Sequence, residues 1–383
     1  MMKKYSWKIM ICWLAALLLS NCRTPYDPPL KSTNVNSLVV EGYIDGAAPI
    51  TVKLSRARKL TAGDTAADKY ELNARVNVED DHQNQYPLAE SGNGLYVINY
   101  ALNLNPAFQY RLHIFTSDGK EYLSDFVAFR QSPAIDTIGW KMKDNGVQVF
   151  VNTHDPNNAT KYYRWEYNET WEFHTYYYSQ LKYDDANNTV IPRTEQVHAC
   201  WKFADFTTIL LGSSAKLTSD IINEGPLVFI PQHDQKLSVL YSIFVKQYAL
   251  DIEGYNYWEA MKKNTEQVGS IFDPQPNQTQ GNIHSAKDAA ETVVGYIGAG
   301  NSVTQRTYIK NSSLPTDWNI FPQCDLKLVP NIPDSLKFYY EGGYAPINSV
   351  FDPATGGISY SSSQIECVDC TISGTNKKPS FWP

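Results

Sequence analysis

The most regular pattern of apolar and polar positions lies between Tyr162 and Phe173. Its even positions are mostly polar, whereas its odd positions are aromatic with one exception: Tyr163, Trp165, Tyr167, Glu169, Trp171 and Phe173. Successive side chains of a strand point to opposite faces, so the pattern predicts a strand with one packed, aromatic face. Glu169 is the exception, and a carboxylate there requires a buried partner, a β-bulge or a functional site.

Shorter segments with the same period of two continue from residue 37 onward. Turn signals such as Ser91–Gly94, Asp118-Gly119 and Asp144-Asn145-Gly146 separate them, without a helical period between them. Strands this frequent are typical of antiparallel sandwiches rather than of α/β sheets. The predicted strands are Ser37–Ile44, Ile50–Arg56, Ala74–Glu79, Leu95–Tyr100, Gln109–Thr116, Tyr122–Phe129, Ile138–Met142, Val147–Asn152, Tyr162–Phe173, Leu237–Leu250, Thr292–Ile297 and Thr307–Lys310.

One helix is predicted near residues 252–267, where Asp251 can serve as its N-cap. Large side chains three or four residues apart would form a stripe against the sheet: Tyr255 with Trp258, and Tyr257 with Met261. Such a stripe is more typical of core packing than of a cofactor site. The chain beyond Pro315 is rich in turns, and no element is assigned there.

Together these patterns predict a mainly β chain of two β-sandwich domains. The first, over residues 36–130, would be Ig-like or transthyretin-like, and Ser132-Pro133 would follow its boundary. The second, over residues 131–383, would be fibronectin-III-like, with the amphipathic helix inserted.

The N-terminus has the pattern of an export signal. Three lysines precede the eleven-residue apolar run Ile9–Leu19, which at about 1.5 Å per residue spans roughly half of a bilayer core, so residues 1–21 are predicted to be a signal peptide. Leu19-Ser20-Asn21-Cys22 resembles a bacterial lipobox, in which Cys22 would be lipidated and anchor the protein to a membrane. The alternative is an ordinary cysteine after an ordinary signal peptide. Residues 22–35, with three prolines, would form an extended tether.

Composition limits the partners. The 383 residues include 40 acidic and 33 basic side chains, a formal net charge of −7, without a block rich in Lys and Arg. A nucleic-acid partner held through its phosphates is therefore not expected. The 26 tyrosines are unusual; flat amphipathic rings could stack on a sugar or a peptide, although sheet packing accounts for most of them.

Four cysteines remain once the leader is removed and Cys22 is lipidated: Cys200, Cys324, Cys367 and Cys370. An even number in an exported chain favours disulfides, and three pairings are possible, one of them including a Cys200–Cys324 bridge. Cys367 and Cys370 also have the spacing of a redox pair or of half a zinc site, but no second pair of ligands has matching spacing. No metal or cofactor is expected.

The search for catalytic motifs is negative, because HExxH, GxSxG, a P-loop and GxGxxG are all missing from the sequence. No catalytic residue is assigned, and the chain is not expected to be an enzyme. A hydrolase with unrecognised carboxylates would need a deep acidic cleft between the domains. The acidic clusters Glu79-Asp80-Asp81 and Asp184-Asp185 are expected to be solvated turns. The tail residues Phe381-Trp382 must either dock on the body or face a partner.

Several segments carry a family resemblance: Leu38–Gly42, Tyr162–Tyr167, Glu169–Phe173, Cys200-Trp201, Gly269–Pro276, Gly281–Ile283, Cys367–Cys370 and Lys378–Trp382. With the lipobox, they resemble the outer-membrane lipoproteins of Bacteroidota grouped as domain of unknown function 4249. The resemblance implies association with TonB-dependent outer-membrane receptors and brings no catalytic residues.

The expected function is therefore that of a lipid-anchored outer-membrane accessory protein, which captures substrate for a TonB-dependent receptor or associates with one. A free-standing glycan- or protein-binding lipoprotein resembling an adhesin is the alternative, and an unrecognised hydrolase is the third. The ligand, and whether the protein faces the surface or the periplasm, stay open.

Overall fold

The computed structural model of the chain describes residues 36–57, 69–266, 281–319, 323–354 and 356–383. The predicted signal peptide, Cys22, the tether and the segment Gly269–Pro276 lie outside the described residues. The described chain is mainly β, as predicted.

The elements are bounded as follows, in chain order. The strands are β1 Leu38–Gly42, β2 Ile44–Asp45, β3 Ile50–Arg56, β4 Lys69–Tyr70, β5 Arg75–Asp80, β6 Gln85–Gly92, β7 Leu95–Ile98, β8 Gln109–Phe115, β9 Glu121–Ser124, β10 Val127–Gln131, β11 Ile135–Lys143, β12 Gly146–His154, β13 Tyr162–His174, β14 Leu181–Asp184, β15 Thr189–Pro192, β16 Ala199–Asp205, β17 Leu210–Ser213, β18 Ile221–Pro231, β19 Leu240–Leu250, β20 Ile283–Ser285, β21 Ala299–Asn301, β22 Val303–Lys310, β23 Lys327–Pro330, β24 Tyr344–Asp352 and β25 Gly357–Gln364. The helices are α1 Ile252–Glu266 and α2 Pro333–Glu341, with short 3-10 turns at Gln235–Leu237, Asn311–Ser313, Thr316–Trp318, Ile365–Cys367 and Cys370–Ile372.

The first body is one hydrogen-bonded sheet of twelve strands. Its main order is β1-β3-β7-β6-β5-β8-β10-β21-β2, with β4 beside β3, β9 beside β8, and β20 beside β9. β1 and β2 stand at opposite ends of this order, yet only Tyr43 separates them in the chain. The sheet therefore curls back on itself around a single core, which includes Leu38, Ile44, Ile50, Val52, Leu54, Val78, Tyr96, Leu112, Ile114 and Tyr122.

Two strands from the second half of the chain complete the first body. β20 pairs with β9, and β21 lies between β10 and β2, parallel to both. Ile283, Ile297 and Ala299 are buried in its core. The first body therefore extends beyond the predicted range 36–130, because local alternation does not reveal which distant strand fills a gap in a sheet.

The second body encloses its core between two sheets, one ordered β11-β12-β18 and the other β16-β13-β19-β22 with β17 beside β13. The predicted alternation in β13 is confirmed, since Tyr163, Trp165, Tyr167 and Phe173 are buried, whereas Asn168 is exposed. Its polar face is consequently free to meet the first body and α1.

Beyond Pro315 the structure contains elements that the sequence does not predict. β23, β25 and β24 form a small sheet, and α2 packs against it through Leu336 and Tyr340. Pro333 begins α2, where its missing N–H has no helical partner to lose. A helix of nine residues is too short for its period to stand out from the surrounding turns.

The predicted turns are confirmed at the β6–β7, β8–β9 and β11–β12 hairpins. In the first of them residues 92–94 all have positive φ, which explains two glycines and an asparagine there. The predicted strand Thr292–Ile297 is wrong, because only Val294 forms a bridge, to Val39, before the chain turns at Gly295 with φ 152°. Within the described ranges, neither helix is long and apolar enough to cross a membrane.

Candidate functional site

A cleft of about 570 Å³ lies between the first and second bodies, and we call it the interbody cleft. β1, β2 and β3 line one side, the polar face of β13 and β19 lines the opposite side, and α1 borders it. Its polar and aromatic side chains include Glu41, Tyr43, Asp45, Lys53, Arg164, Glu166, Lys246, Tyr248, Trp258 and Tyr296.

Arg164 is held on the cleft wall by two aromatic rings. Its guanidinium carbon stands 4.7 Å from the ring centre of Tyr248 and 4.2 Å from that of Trp258, within the range of cation–π attraction. Arg164 donates to Oε1 of Glu166 at 2.6 Å, and the hydroxyl of Tyr248 donates to Oε2 at 2.7 Å. These contacts fix a cation and its carboxylate in defined positions.

An ion pair connects the two bodies. The ammonium of Lys246, on β19, lies 2.9 Å from Oδ2 of Asp45, on β2. Asp45 is almost completely buried and also accepts from the hydroxyl of Ser302 at 2.5 Å and from the N–H groups of Ser302 and Ala47. The acid is therefore well satisfied. The side chain of Lys246 is 25% exposed, so the ion pair does not enclose it completely.

Tyr43, the residue between β1 and β2, places a buried phenol at the junction of the bodies. Its ring meets that of Tyr248 edge-on, with centroids 4.8 Å apart. Burial, reinforced by the negative charge of Asp45, raises the pKa of Tyr43, so its hydroxyl stays protonated. This hydroxyl has no hydrogen-bond partner among the described residues. A buried donor without an acceptor is costly, and this hydroxyl is enclosed by the protein rather than exposed in the cleft.

α1 and the segment before β17 give the cleft an apolar side. As predicted, Asp251 caps α1, since its Oδ1 accepts from the N–H of Gly254 at 2.7 Å. The same oxygen accepts from the hydroxyl of Tyr296 at 2.7 Å, which ties the helix to the first body. The apolar wall consists of Phe206, Ile209, Leu210, Trp258 and Met261.

The cleft therefore combines charges of both signs with an apolar wall. Its volume falls within the roughly 300–1,000 Å³ that is usual for small-molecule sites. Within the ranges that the structure covers, no cluster of three or more His, Cys, Asp or Glu side chains could hold a metal ion. The arrangement suits the binding of a polar ligand that carries an apolar portion.

The profile of a family described as "Domain of unknown function (DUF4249)" matches residues 23–306, most of the chain. The chain belongs to this family. The DUF4249 region contains every residue of the interbody cleft and ends within β22, so β23–β25 and α2 lie beyond it. No curated protein matches the chain.

The four cysteines that the sequence assigns to disulfides form two bonds, Cys200–Cys370 and Cys324–Cys367. The possible Cys200–Cys324 bridge is not formed. Cys367 and Cys370 bond to different partners, so they do not act together as a dithiol or as half of a zinc site. Cys200 belongs to the DUF4249 region and Cys370 does not, so this bond fastens the C-terminal part to the second body.

Two features of uncertain role are explained by packing. Glu169 has the buried partners expected of it, because it accepts from Lys236 at 2.7 Å and from the hydroxyl of Tyr241 at 2.8 Å. The tail docks on the body, where Trp382 is 6% exposed and donates through Nε1 to Glu172 at 2.8 Å. Neither feature contributes to the cleft.

The acidic run at residues 79–81 is not the solvated turn that the sequence predicts. Glu79 and Asp80 are buried at the end of β5, and only Asp81 is exposed. Glu79 accepts from Arg111 at 2.8 Å and lies 2.7 Å from Nδ1 of His113, both on the neighbouring strand β8. The prediction failed because these partners are distant in sequence.

Glu79→Gln is expected to lower the free energy of unfolding by about 1–3 kcal/mol at neutral pH, since Arg111 and His113 both lose the carboxylate that they contact. Burial acts to raise the pKa of Glu79, but hydrogen bonds from His113 and Arg111 outweigh it and hold the pKa below its usual value. The contribution is therefore complete above the unfolded pKa, near 4.3, and is lost as the pH falls through the lower folded pKa. Urea unfolding of the wild type and the variant between about pH 6 and pH 3 measures how this contribution to stability changes with pH.

The difference in unfolding free energy between the wild type and Glu79→Gln should thus become smaller toward low pH. Asp81→Asn, next to it and exposed, is the matched control and should change stability by less than about 0.5 kcal/mol. If the loss of unfolding free energy in Glu79→Gln stays constant across this pH range, the assigned contacts of the Glu79 carboxylate are contradicted.

The sequence places Arg164 and Glu166 on a polar strand face but gives no sign of their neighbours. In the antiparallel register of β13 and β19, Arg164 lies opposite Tyr248 and Glu166 opposite Lys246. The sequence offers one signal for this arrangement. Arg164 and Glu166 lie near the start of the predicted strand Tyr162–Phe173, and Lys246 lies near the end of Leu237–Leu250, so antiparallel pairing of the two strands would bring these charges together. Asp45 and Tyr43 come from the other body and had no comparable signal.

Proposed function

We propose that the chain is a lipid-anchored accessory protein of the outer membrane that captures a ligand for a TonB-dependent receptor. The observation that carries this proposal is the interbody cleft, whose wall presents fixed charges of both signs beside apolar side chains. The lipobox-like Leu19–Cys22 supports the anchor. β1 lines the cleft and begins at Leu38, so a tether over residues 22–35 would join the body close to the cleft.

The proposal includes two finer parts: a lipoprotein of the Bacteroidota type, as the resemblance to the DUF4249 family implies, and domains related to Ig-like, transthyretin-like and fibronectin-III-like sandwiches, as the strand pattern predicts. The two facing sheets of the second body support the sandwich assignment there.

The composition of the cleft favours binding over hydrolysis. The expected hydrolase would need an acidic cleft, whereas here Glu41, Asp45 and Glu166 are balanced by Lys53, Arg164 and Lys246. Asp45 and Glu166 are each engaged by a cation.

Cys22→Ala tests the anchor and the partner together. The full-length wild type should incorporate labelled palmitate, fractionate with outer membranes, and recover a TonB-dependent barrel when purified in mild native detergent. Cys22→Ala should incorporate no label and leave the outer-membrane fraction, because the acyl chains are the attachment to that membrane in this proposal.

Arg23→Ala, which retains the lipobox cysteine, is the control and should behave as the wild type. Retention of Cys22→Ala in the outer-membrane fraction without label would refute the lipid anchor. Recovery of the labelled wild type without any barrel would refute the receptor role and favour the free-standing binding lipoprotein.

A further inference from the structure

The two sides of the interbody cleft differ in chemistry, and this difference identifies a class of ligand. We propose that the cleft binds a short peptide with free termini and at least one large apolar side chain. This inference rests on the ligand-capture role proposed above and specifies the ligand.

The apolar wall accounts for the side chain. Phe206, Ile209 and Leu210 form one part of it, and Met261 of α1 forms another. The backbone N–H of Ile209 donates to Oε1 of Glu266 at the end of α1 at 2.7 Å, which holds the two parts together. A leucine-sized group placed against this wall would remove its own apolar surface and that of the wall from water, which favours binding.

The charged wall accounts for the termini. Glu166 and Lys246 lie opposite each other on adjacent strands, and each side chain is 25% exposed. A peptide carboxylate can therefore reach Lys246 while its ammonium reaches Glu166. Because the cleft carries three charges of each sign, a zwitterion preserves its neutrality, whereas a singly charged ligand would leave one charge uncompensated.

A sugar fits the same surface less well. Sugars bind through flat, uncovered ring faces, but here Arg164 covers a face of both Tyr248 and Trp258, and Lys246 stands 5.1 Å from the ring centre of Tyr248. Tyr257, next along α1, is stacked on Tyr296. The protein's own cations therefore already occupy ring faces on which a sugar would stack.

Calorimetric titration of the full lipidated chain in detergent tests the proposal with three probes: alanyl-leucyl-leucine, its N-acetylated and C-amidated form, and maltotriose. The free tripeptide should bind with a dissociation constant between about 1 μM and 1 mM, and blocking its termini should weaken binding about tenfold or more. Maltotriose should give no heat of binding.

Arg164→Gln removes the stacked cation that positions Glu166, and Met261→Gln makes the apolar wall polar; each should weaken tripeptide binding about tenfold. Arg306→Gln is the matched control, because Arg306 is likewise held between two rings, Phe244 and Phe381, but lies outside the cleft. Its affinity should equal that of the wild type. Thermal unfolding of each variant identifies any that fails to fold.

Equal binding of the free and blocked peptides, or no tripeptide binding up to about 10 mM, overturns the inference even if every variant misfolds, because both comparisons use the wild type. Binding of maltotriose that Arg164→Gln abolishes overturns the peptide class while supporting ligand capture. The receptor pull-down is independent of these titrations, so failure of the proposed function appears there separately.

Discussion

Trp165→Ala is expected to lower the free energy of unfolding by about 3–5 kcal/mol, which chemical denaturation would measure. The side chain is 2% exposed in the core of the second body, and its ring is stacked parallel to that of Tyr163 with centroids 5.8 Å apart. Its Nε1 donates to Oε1 of Gln247 at 2.8 Å. Truncation would therefore leave both a cavity and an unsatisfied buried amide oxygen.

The conservative variant Trp165→Phe separates these two effects. It keeps most of the ring but not the hydrogen bond, so it should cost only about 1–3 kcal/mol. Phe203→Ala is the control, because Phe203 is 57% exposed on the sheet that contains β13. This substitution should change the free energy of unfolding by less than about 0.5 kcal/mol. Equal losses for Trp165→Ala and Phe203→Ala would contradict the assigned core.

Removing the Cys200–Cys370 disulfide is expected to have the largest effect on stability. The bond joins residues 170 apart, and constraining a loop of this length in the unfolded chain stabilises the fold by about 5 kcal/mol in the chain-entropy description. Replacing both cysteines by serine should lower the guanidinium midpoint accordingly. The C-terminal tail, which docks through Trp382, should then become the first part to exchange its amide hydrogens.

The second disulfide provides an internal comparison. Cys324 and Cys367 are 43 residues apart, for which the same description gives about 4 kcal/mol. The paired serine variant at these positions should therefore be the less destabilised of the two. The reverse order, or stability unchanged from the wild type in either case, would show that loop entropy does not govern these bonds.

Local patterns predicted the strands well where one face is buried. The segment Ile50–Arg56 has the same bounds in sequence and structure, and the aromatic face of β13 is buried as its alternation required. Asp251 also caps α1 as expected. Each of these features depends on residues within one element, so the sequence of that element contains the necessary information.

The cleft could not be predicted in the same way, because its parts meet through long-range pairing. Arg164 and Lys246 become neighbours only through the register of β13 and β19. Asp45 reaches Lys246 from the other body, on a strand of two residues that β21 holds in place. No local periodicity encodes such contacts, and the same reasoning explains why Glu79 looked exposed in the sequence but is buried beside Arg111.

The position of β21 in the chain determines when the first body can finish folding. A polypeptide emerges amino end first, yet the strand that joins β10 to β2 is near residue 300, after every strand of the second body except β22. Until that strand arrives, β2 lacks its neighbour in the sheet, and the core face that Ile297 covers stays open. The first body therefore cannot complete its sheet until about 300 residues have been synthesised, and until then its partly open core is accessible to proteases and chaperones.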